Sequence, residues 1–345
     1  MAEFLLSKSK LIEEYNKLKN LNVIVSYSHK TNEEVGILLE KLTDCKFNIH
    51  SLNSLKQIKD KTRVWYFPFA HSKEEIINLL NNNINKFVID NETDLNNLIE
   101  CINKTNKKIK LLIRMKLKEN TVKTGKYFVF GLNTKKVNEL IQKHSNNNLI
   151  EKIGIHVHRK TQNVAEWSLV EDIVNSLTKE NYKKIKIINI GGGIPSTYKN
   201  TNTRTIERIK NKIKELVEYC KKENSTIEIH IEPGRALAAP CVKLKAQIIA
   251  IEEKNITIDC SVYNTSIDTL IADMKLIIQN EIENYKPEEQ YLIKGKTPCS
   301  MDIFRYRIGL NNPKKGNYII FENAGAYNYS SDFCNLEKIK TIIVD

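Results

Sequence analysis

The chain has 345 residues, of which 41% are hydrophobic and 28% charged, and its formal net charge at pH 7 is +13. This length fits two domains, or one barrel with an appendage, and is enough to bury a substantial core. The apolar runs stay well below the ~18 residues that a membrane span needs, and the first twenty residues lack a signal-peptide core, so we expect a cytoplasmic protein.

The positive charge does not point to nucleic acid. Lysines are spread along the whole chain among acidic residues and asparagines, and they form no arginine-rich or aromatic-interleaved patch. The seven cysteines are odd in number and contain no CxxC pair, which predicts neither a disulfide framework nor a zinc site. We therefore expect no nucleic acid, no membrane and no metal as a partner of this chain.

Short apolar strands alternate with amphipathic helices over residues 23–235. The predicted strands are 23–28, 47–51, 63–67, 86–90, 108–115, 152–158, 184–190 and 227–232. The predicted helices are 32–42, 73–83, 92–103, 134–144, 167–177 and 206–222. Strands that alternate with helices at this spacing are parallel, and eight such units favour an α/β fold with a closed (β/α)8 TIM-like barrel over an open Rossmann sheet.

The pattern changes after Pro240. Strand-like segments follow one another with short turns and few helices, at 242–263, 290–296, 316–324 and 339–345. We interpret residues 23–240 as the barrel, followed by a C-terminal β-domain of residues 241–345 that residues 1–22 join.

Candidate reactive residues follow the first and sixth predicted strands, and active sites of such barrels lie at the carboxyl ends of the strands. Lys30 in SYSHKTN could form an imine with an aldehyde cofactor if burial lowers its pKa, although a solvated lysine is the default in so lysine-rich a chain. In GIHVHRKTQ, period-two alternation places His156 and His158 on one face. One of them could stack on a ring, while Thr161 could donate to a phosphate.

Two further segments follow the seventh and eighth strands. Gly191, Gly192 and Gly193 in INIGGGIP let the backbone approach a phosphate and offer N–H groups to it, although a tight turn is an equal alternative. In IEPGR, Glu232 and Arg235 lie three residues apart around a Pro-Gly turn. The guanidinium suits a phosphate, and the carboxylate could keep a pyridine nitrogen protonated.

These segments together resemble the ornithine/diaminopimelate/arginine decarboxylase family, whose members are fold-type III enzymes with an alanine-racemase-like barrel. The resemblance covers nearly the whole chain and rests on motifs that occur in the family's order. They are SYSHKTN, HSLNSL, LIRMKL with YFVFGLN, GIHVHRKTQ, INIGGGIP, IEPGR, GKTPCSMD and ENAGAYNYSSDFCN.

The resemblance implies that pyridoxal 5'-phosphate is the cofactor and that the reaction is decarboxylation of an amino acid. It implies that Lys30 binds the cofactor aldehyde, that His158 stacks on its ring and that Glu232 contacts its nitrogen. The other implied cofactor contacts are Thr161, Gly191, Gly192, Gly193, Arg235, Tyr327 and the barrel arginine Arg114. Cys299 is implied as the proton donor, reaching the site from the partner subunit of a homodimer with shared active sites.

Three departures from the family pattern stand out. In GKTPCSMD, Cys299 is offset by one position, and Pro298 stands where the cysteine is expected. Lys160 replaces a small residue before the phosphate-binding hydroxyl. Asn48 stands where an acidic residue often follows the second strand. Because of the offset, Cys299 could instead line the substrate pocket.

The substrate is predicted to be a basic amino acid of the ornithine or lysine type, as in polyamine biosynthesis. Ser300 follows Cys299 where diaminopimelate enzymes usually carry a glutamate, and residues 261–274 lack their Arg-Pro segment. Arg305 and Arg307 could compensate for that loss. Asp273 and Asp302 are candidate partners for a distal ammonium. Asp268 is a third candidate, for which a solvated or capping position is at least as good an interpretation.

Two alternatives stay open. A racemase with the same cofactor would need a second acid/base group opposite Lys30 and would not need Glu232. A catalytically silent decarboxylase paralogue would keep the motifs but turn over no basic amino acid.

Overall fold

The computed structural model of this chain describes residues 1–117, 129–158, 167–201, 203–328 and 331–345. Its helices are α1 (Lys8–Lys19), α2 (Glu33–Leu42), α3 (Leu52–Gln57), α4 (Lys73–Asn81), α5 (Glu92–Thr105), α6 (Thr134–His144), α7 (Leu169–Ser176), α8 (Lys179–Lys184), α9 (Thr203–Glu223), α10 (Arg235–Ala238), α11 (Val262–Thr265) and α12 (Asp268–Ile271). Its strands are β1 (Glu3–Ser7), β2 (Ile24–Ser28), β3 (Lys46–Ile49), β4 (Val64–Tyr66), β5 (Lys86–Ile89), β6 (Ile109–Arg114), β7 (Ile150–His156), β8 (Ile187–Asn189), β9 (Glu228–Ile231), β10 (Val242–Glu252), β11 (Asn255–Ile258), β12 (Ile277–Ile278), β13 (Gln290–Lys294), β14 (Ile303–Gly309), β15 (Tyr318–Glu322) and β16 (Lys340–Val344).

Strands β2 to β9 form a closed barrel in chain order. Each pairs in parallel with the next, and β2 closes the ring by pairing with β9, with Val25 opposite Ile231. The eight-stranded TIM-like barrel predicted from the alternating pattern is confirmed. All eight carboxyl ends therefore meet at one rim, which is where parallel strands of this fold place a site.

Local sequence explains where the barrel helices begin. Asn32, Ser72 and Asn91 each stand directly before a helix and accept a hydrogen bond from a backbone N–H of its first turn. At Ser72 the contact is reciprocal, because Glu75 accepts from the Ser72 backbone N–H. These caps fix the helix starts close to the positions that the hydrophobic periodicity predicts.

The barrel interior is filled by side chains. Trp65, Val88, Leu112 and Ile187, from four different barrel strands, form a buried cluster of their own. Val64 and Tyr66, on either side of Trp65 in β4, belong instead to the large core outside the ring. This alternation follows from the two-residue period of a strand and leaves the strand ends, not the barrel axis, for a ligand.

A second sheet lies outside the barrel. Its strands follow the order β12-β15-β10-β11-β13-β14, and β1 pairs with both β10 and β16. This is the C-terminal β-domain that the strand-rich sequence after Pro240 predicts. Strands β12 and β14 and helices α11 and α12 were not anticipated from the pattern.

The N-terminal segment contacts both parts of the molecule. Strand β1 lies in the second sheet, whereas α1 packs against α2 and α10 of the barrel. The assignment of residues 1–22 to the β-domain therefore suits β1 but not α1, which packs on the barrel. The domain limits stay a prediction. Among the described helices, none is long and apolar enough to cross a membrane.

Candidate active site

A cavity of about 610 Å³ opens at the carboxyl rim of the barrel. Its size is that of a small-molecule site. His156 and Asn48 line it, as do eight of the residues that the family resemblance assigns to the cofactor: Lys30, Arg114, His158, Gly192, Gly193, Glu232, Arg235 and Tyr327. The eight come from strand ends β2, β6, β7, β8 and β9 and from the segment after β15, so the fold brings together residues that lie up to 297 positions apart in the chain.

Lys30 lies in a single 3-10 turn, His29–Thr31, directly after β2. Thr31 packs beneath Gly234, where a Cβ atom would lie 2.2 Å from the Thr31 hydroxyl oxygen. The Lys30 side chain is exposed to the cavity, and no described residue hydrogen-bonds its Nζ. The burial that the sequence argument required is therefore not found in the single chain, but the amine is available to a ligand.

Glu232 is the buried charge of the site and is 5% exposed. Asn189 Nδ2 donates to its Oε1 at 2.7 Å, and His156 Nε2 lies 3.2 Å from its Oε2. Burial alone would raise the pKa of this carboxyl, but the neighbouring His156 and His158 and the two hydrogen bonds outweigh it and lower the pKa. Glu232 is therefore held as a carboxylate.

His158 is held in place by the glycine loop, residues 191–193, because the Gly192 N–H donates to its Nδ1 at 3.1 Å. Burial, together with the neighbouring His156, lowers the pKa of His158 to about 4. Its imidazole is thus neutral at pH 7 and presents a flat, uncharged face to the cavity. A neutral ring suits stacking on another ring.

The glycine loop adopts a conformation that larger residues would not. Gly191 and Gly193 have φ of +69° and +87°, and the Gly191 N–H donates to Asn189 Oδ1 at 2.9 Å. A Cβ on Gly191 would lie 2.5 Å from the Val157 carbonyl oxygen. The loop thus brings bare backbone to the cavity wall at Gly192 and Gly193, where an anion could be bound.

Arg235 stands at the start of α10, beside the glycine loop. Its Nη1 donates to the Tyr198 hydroxyl at 2.9 Å and to Asp268 Oδ2 at 2.5 Å, and its guanidinium lies 5.0 Å from the Tyr327 ring centre. No described residue hydrogen-bonds its other nitrogens. The guanidinium is therefore oriented, with donors left for an anion.

Asp268 is paired with this arginine. The aspartate is 8% exposed, and its carboxylate forms the ion pair with Arg235. The alternative of a solvated position is wrong for Asp268. Because its charge is already paired, the structure gives no support to Asp268 as a partner for a distal ammonium.

Another wall of the cavity, formed by Arg114, Phe67, Phe69 and Phe130, is aromatic and basic. Arg114, at the end of β6, pairs with Asp90 at 3.2 Å and lies 4.8 Å from the Phe130 ring centre. Phe130 and Phe69 meet edge to face at 6.0 Å, and Phe67 contacts His156 in the same manner. This side offers ring faces to the alkyl part of a ligand.

Gly191, Asp273 and Cys299, also singled out in the sequence, are not among the described residues that line this cavity. Gly191 shapes the loop behind the wall. Asp273 is exposed, between two cavity-lining residues, Ala272 and Met274. Cys299 lies elsewhere in the β-domain, with its Sγ 3.0 Å from the Tyr263 hydroxyl. Thr161 lies outside the described residues.

Asp302, also outside the cavity, is engaged within its own segment. It is 1% exposed, and its carboxylate accepts from the Val262 N–H at 2.9 Å, the Thr297 N–H at 3.1 Å and the Thr297 hydroxyl at 2.6 Å. Gly295 packs directly against it. The structure thus gives Asp302 a local role in holding the segment that carries Cys299.

Arg305 is held too. Its two terminal nitrogens contact Glu281 at 3.2 and 2.7 Å, and one also donates to the Leu276 carbonyl at 2.6 Å. Both partners of this ion pair are 7% exposed. Arg305 is therefore not available to bind the distal carboxylate of a substrate.

Sequence reasoning missed several residues of the site. His50, Phe67, Asp90 and Asn189 stand at or just after the ends of β3, β4, β5 and β8. His50 lines the cavity, where partial desolvation and the nearby Lys30 charge lower its pKa. Their position at strand ends was a usable signal, whereas Phe130, which also lines the cavity, does not stand at the end of a described strand.

Comparisons with known proteins agree with this geometry. Residues 8–239 match the family model described as pyridoxal-dependent decarboxylase, pyridoxal binding domain. A diaminopimelate decarboxylase of Staphylococcus aureus is 25% identical over 304 residues, which cover 81% of this chain and 70% of that protein. Antizyme inhibitor 2 of Xenopus laevis is 22% identical over 330 residues, 87% of this chain and 71% of that protein. The structure of a lysine/ornithine decarboxylase from Vibrio vulnificus, complexed with cadaverine, superposes with a TM-score of 0.79 at 21% identity and covers all of this chain and 95% of the other.

Proposed function

This chain belongs to the pyridoxal-dependent decarboxylase family of fold-type III, and we propose that it removes the α-carboxylate of a lysine- or ornithine-like amino acid as carbon dioxide. One observation carries the proposal. A free amine, a buried carboxylate, a neutral histidine and an anion-binding arginine line a single cavity at the barrel rim. Lys30, Glu232, His158 and Arg235 provide these four groups.

The site fits pyridoxal 5'-phosphate, the cofactor of the family. Lys30 Nζ has no partner among the described residues, as an amine that receives an aldehyde requires. The glycine loop and Arg235 leave N–H donors for a phosphate, and a Cβ at Gly192 would come within 2.8 Å of the Glu232 carbonyl oxygen. Tyr327, which contacts the Arg235 guanidinium, completes the phosphate end. When bound, the cofactor delocalises the electron pair that remains on the substrate as carbon dioxide leaves.

Side chains of this chain provide the other functions that the proposed reaction needs. Glu232, kept ionised by His156 and Asn189, holds a proton at the ring nitrogen, and His158 presents its neutral face to the ring. Arg114 adds positive charge to the wall of the cavity. Lys30 would hold the cofactor aldehyde through its unpartnered amine, and as an amine in the cavity it could move a proton.

A basic substrate is favoured over a diaminopimelate-like one. A distal carboxylate needs a free arginine in the cavity. Arg305 is already bound to Glu281 in a buried pair, and Arg307 does not line the cavity. The ring faces of Phe67, Phe69 and Phe130 can pack on a butyl or propyl chain and attract an ammonium at its end. The structural relative from Vibrio vulnificus carries cadaverine, the product of lysine decarboxylation.

A homodimer with shared active sites is part of the proposal. Cys299 does not line the cavity of its own chain, so it could act as a proton donor only at the site of a second copy. Large apolar side chains are exposed near the cavity, at Phe69 and Ile271, and near the cysteine, at Met301 and Phe333. Exposed apolar groups at both places suit burial against a partner. The cytoplasmic location expected from the sequence belongs to the proposal as well.

The test is carbon dioxide release from lysine, ornithine, arginine and meso-diaminopimelate, by protein saturated with pyridoxal phosphate. We expect release from lysine or ornithine at a kcat/KM at least tenfold above that for diaminopimelate. The Lys30→Ala variant should release none. Faster release from diaminopimelate would overturn the substrate assignment and leave the reaction intact.

A second candidate is a catalytically silent paralogue. Two observations favour it: the similarity to antizyme inhibitor 2 over 87% of the chain, and the one-residue offset of Cys299. Cofactor binding at Lys30 without carbon dioxide or racemised product from any of the four amino acids would establish it in place of the decarboxylase.

A further inference from the structure

A second and larger cavity, of about 820 Å³, lies away from the proposed catalytic chemistry. It is a groove between α1 and α9, with residues 194–197 as its floor. None of the residues that the proposed reaction uses lines it. Its volume is that of a small-molecule site.

The walls of the groove are basic. Lys10 and Lys17 of α1 face Arg204, Arg208 and Lys210 of α9. Among the described residues, only two carboxylates line the same groove, Glu14 and Glu207. Five cationic side chains against two carboxylates give a positive concave surface, which concentrates anions.

Some of these charges are already paired, but weakly. Lys10 and Lys17 share Glu13 and Glu14, and Lys210 pairs with Glu207. Such solvent-exposed pairs contribute little, so the lysines can turn to an anion at small cost. Arg208 makes no hydrogen bond or ion pair to any described residue, which leaves its whole guanidinium available.

Two further features point to an anion. Ser196, in the floor of the groove, is 4% exposed, and its hydroxyl has no partner among the described residues. Helix α9 is 21 residues long and begins at this groove, so the positive end of its dipole lies there. A buried, unpartnered hydroxyl and the first turn of a long helix, both lining one groove, are donors that a phosphate or carboxylate oxygen would satisfy.

The groove adjoins the cofactor end of the active site. Its floor begins at Ile194, which follows the glycine loop directly and lines both cavities. Ala236, next to Arg235, lines the groove as well, and Asn323 Nδ2 donates to the Thr197 carbonyl at 2.7 Å. A ligand in the groove would thus contact the back of the same loop that faces the cofactor phosphate.

We propose that the groove between α1 and α9 is a second ligand site, distinct from the active site, for a small polyanion that carries phosphate or carboxylate groups. The ligand bridges the two helices, with Arg208 on one side and Lys10 on the other. Phosphates and carboxylates both offer the negatively charged oxygens that the groove would bind. Two probes, one of each kind, distinguish them.

The test is titration calorimetry of the full chain, saturated with pyridoxal phosphate so that the active-site arginine is occupied. Pyrophosphate and citrate are the two probes. We expect at least one of them to bind one site per chain, with a Kd below roughly 1 mM at low salt. The stronger of the two identifies phosphate or carboxylate as the natural class.

Charge-removing variants locate the site. Arg208→Gln and Lys10→Gln should each weaken binding by about fivefold or more, because each removes a charge-assisted contact. The matched controls are Lys212→Gln on α9 and Lys19→Gln on α1, which remove the same charge outside the groove. They should change the Kd less than twofold.

Three results would overturn the proposal. The first is no binding of either probe at several millimolar. The second is binding that is unchanged in Arg208→Gln. The third is that Lys212→Gln weakens binding as much as Arg208→Gln does, which would indicate diffuse surface charge. Binding at the active-site arginine does not depend on Arg208. The outcome is therefore independent of whether the proposed decarboxylation is correct.

Discussion

At the residue scale, the site depends on keeping Glu232 ionised in a buried position. Burial opposes the charge, and the hydrogen bonds from Asn189 and His156, with the charges beside them, restore it. His156 makes no other described contact through its ring nitrogens. Its structural role is therefore to support this carboxylate.

Replacing His156 should change the pH dependence of the reaction. The pKa of Glu232 is lowered in the native protein, so activity should persist above that pKa and fall as pH drops through it. His156→Leu removes a lowering influence, and we expect the acid limb of the kcat profile to move up by about one pH unit. His156→Gln, which keeps a donor, should move it less.

The control for this measurement is His144→Gln. His144 is likewise a buried histidine, but it lies on α6 and does not line the cavity. An acid limb that is the same in His156→Leu, His144→Gln and the unaltered protein would show that His156 does not support the charge of Glu232.

Individual residues show which parts of the site could be predicted from the sequence and which could not. Lys30, His158, Glu232 and Arg235 stand in recognisable motifs at strand ends, and the fold brings them into one cavity. The pairing of Arg235 with Asp268 joins residues 33 positions apart in the chain, and no spacing rule predicts it. For the same reason, the engagement of Asp302 with backbone N–H groups became visible only in three dimensions.

At the element scale, two structural requirements restrict the sequence of the glycine loop after β8. It needs a positive φ at Gly191 and close packing on Val157. Gly191→Ala should therefore lower the free energy of unfolding by about 2 kcal/mol and weaken cofactor binding at least tenfold. Urea denaturation and titration of the cofactor absorbance measure the two effects.

Gly316→Ala is the matched control for this prediction. Gly316 also has a positive φ, +91°, but a Cβ there would meet nothing within 4 Å. It should lose stability through the backbone conformation alone and keep its cofactor affinity. Equal loss of cofactor affinity in both variants would refute a specific role for the loop.

Asp302 anchors the segment between β13 and β14 that carries Cys299. Its carboxylate is buried and accepts three hydrogen bonds. Asp302→Ala leaves the two backbone donors unsatisfied, and we expect a loss of about 3 kcal/mol in the free energy of unfolding. Asp332→Ala, at an exposed aspartate with φ of −75°, should change it by less than about 0.5 kcal/mol. A loss below 1 kcal/mol for Asp302→Ala would contradict this role.

Periodicity predicted the eight barrel strands and six of the longer helices, but it missed the 12-residue helix α1. The predicted barrel strands and the six predicted helices match observed elements to within three residues at almost every end, because each has a clear two-residue or 3.6-residue pattern. The short helices α3, α8, α10, α11 and α12 have four to six residues, too few to show a period. Strand β14, with charged Arg305 buried and Ile303 half-buried, does not alternate cleanly.

At the scale of the whole molecule, the barrel and the second sheet share one extensive hydrophobic core. Because the closed ring places all strand ends together, the chain can assemble a site from residues scattered between positions 30 and 327. The (β/α)8 topology followed from counting strand-helix units. The sequence predicted that residues 1–22 join the second domain, but it did not predict the pairing of β1 with β10 and β16, because one isolated strand gives no indication of its partners.

The proposed dimer makes a quantitative prediction. If Cys299 acts in the active site of the partner, Lys30→Ala and Cys299→Ala are each inactive alone, but a mixed dimer has one intact site. Equal mixing and re-association should restore about 25% of the unaltered activity, because half of the dimers are mixed and each has one working site of two. Sedimentation velocity should report a dimer throughout. No restoration in mixed dimers would contradict shared sites.

The most direct test of the central claim is to identify the residue that carries the cofactor. Protein saturated with pyridoxal phosphate is reduced with borohydride, which makes a lysine–cofactor bond permanent, and its peptides are then analysed by mass spectrometry. The account predicts the label on Lys30 and loss of the cofactor absorbance band in Lys30→Ala. Label on another lysine, or a band that survives the substitution, would contradict it.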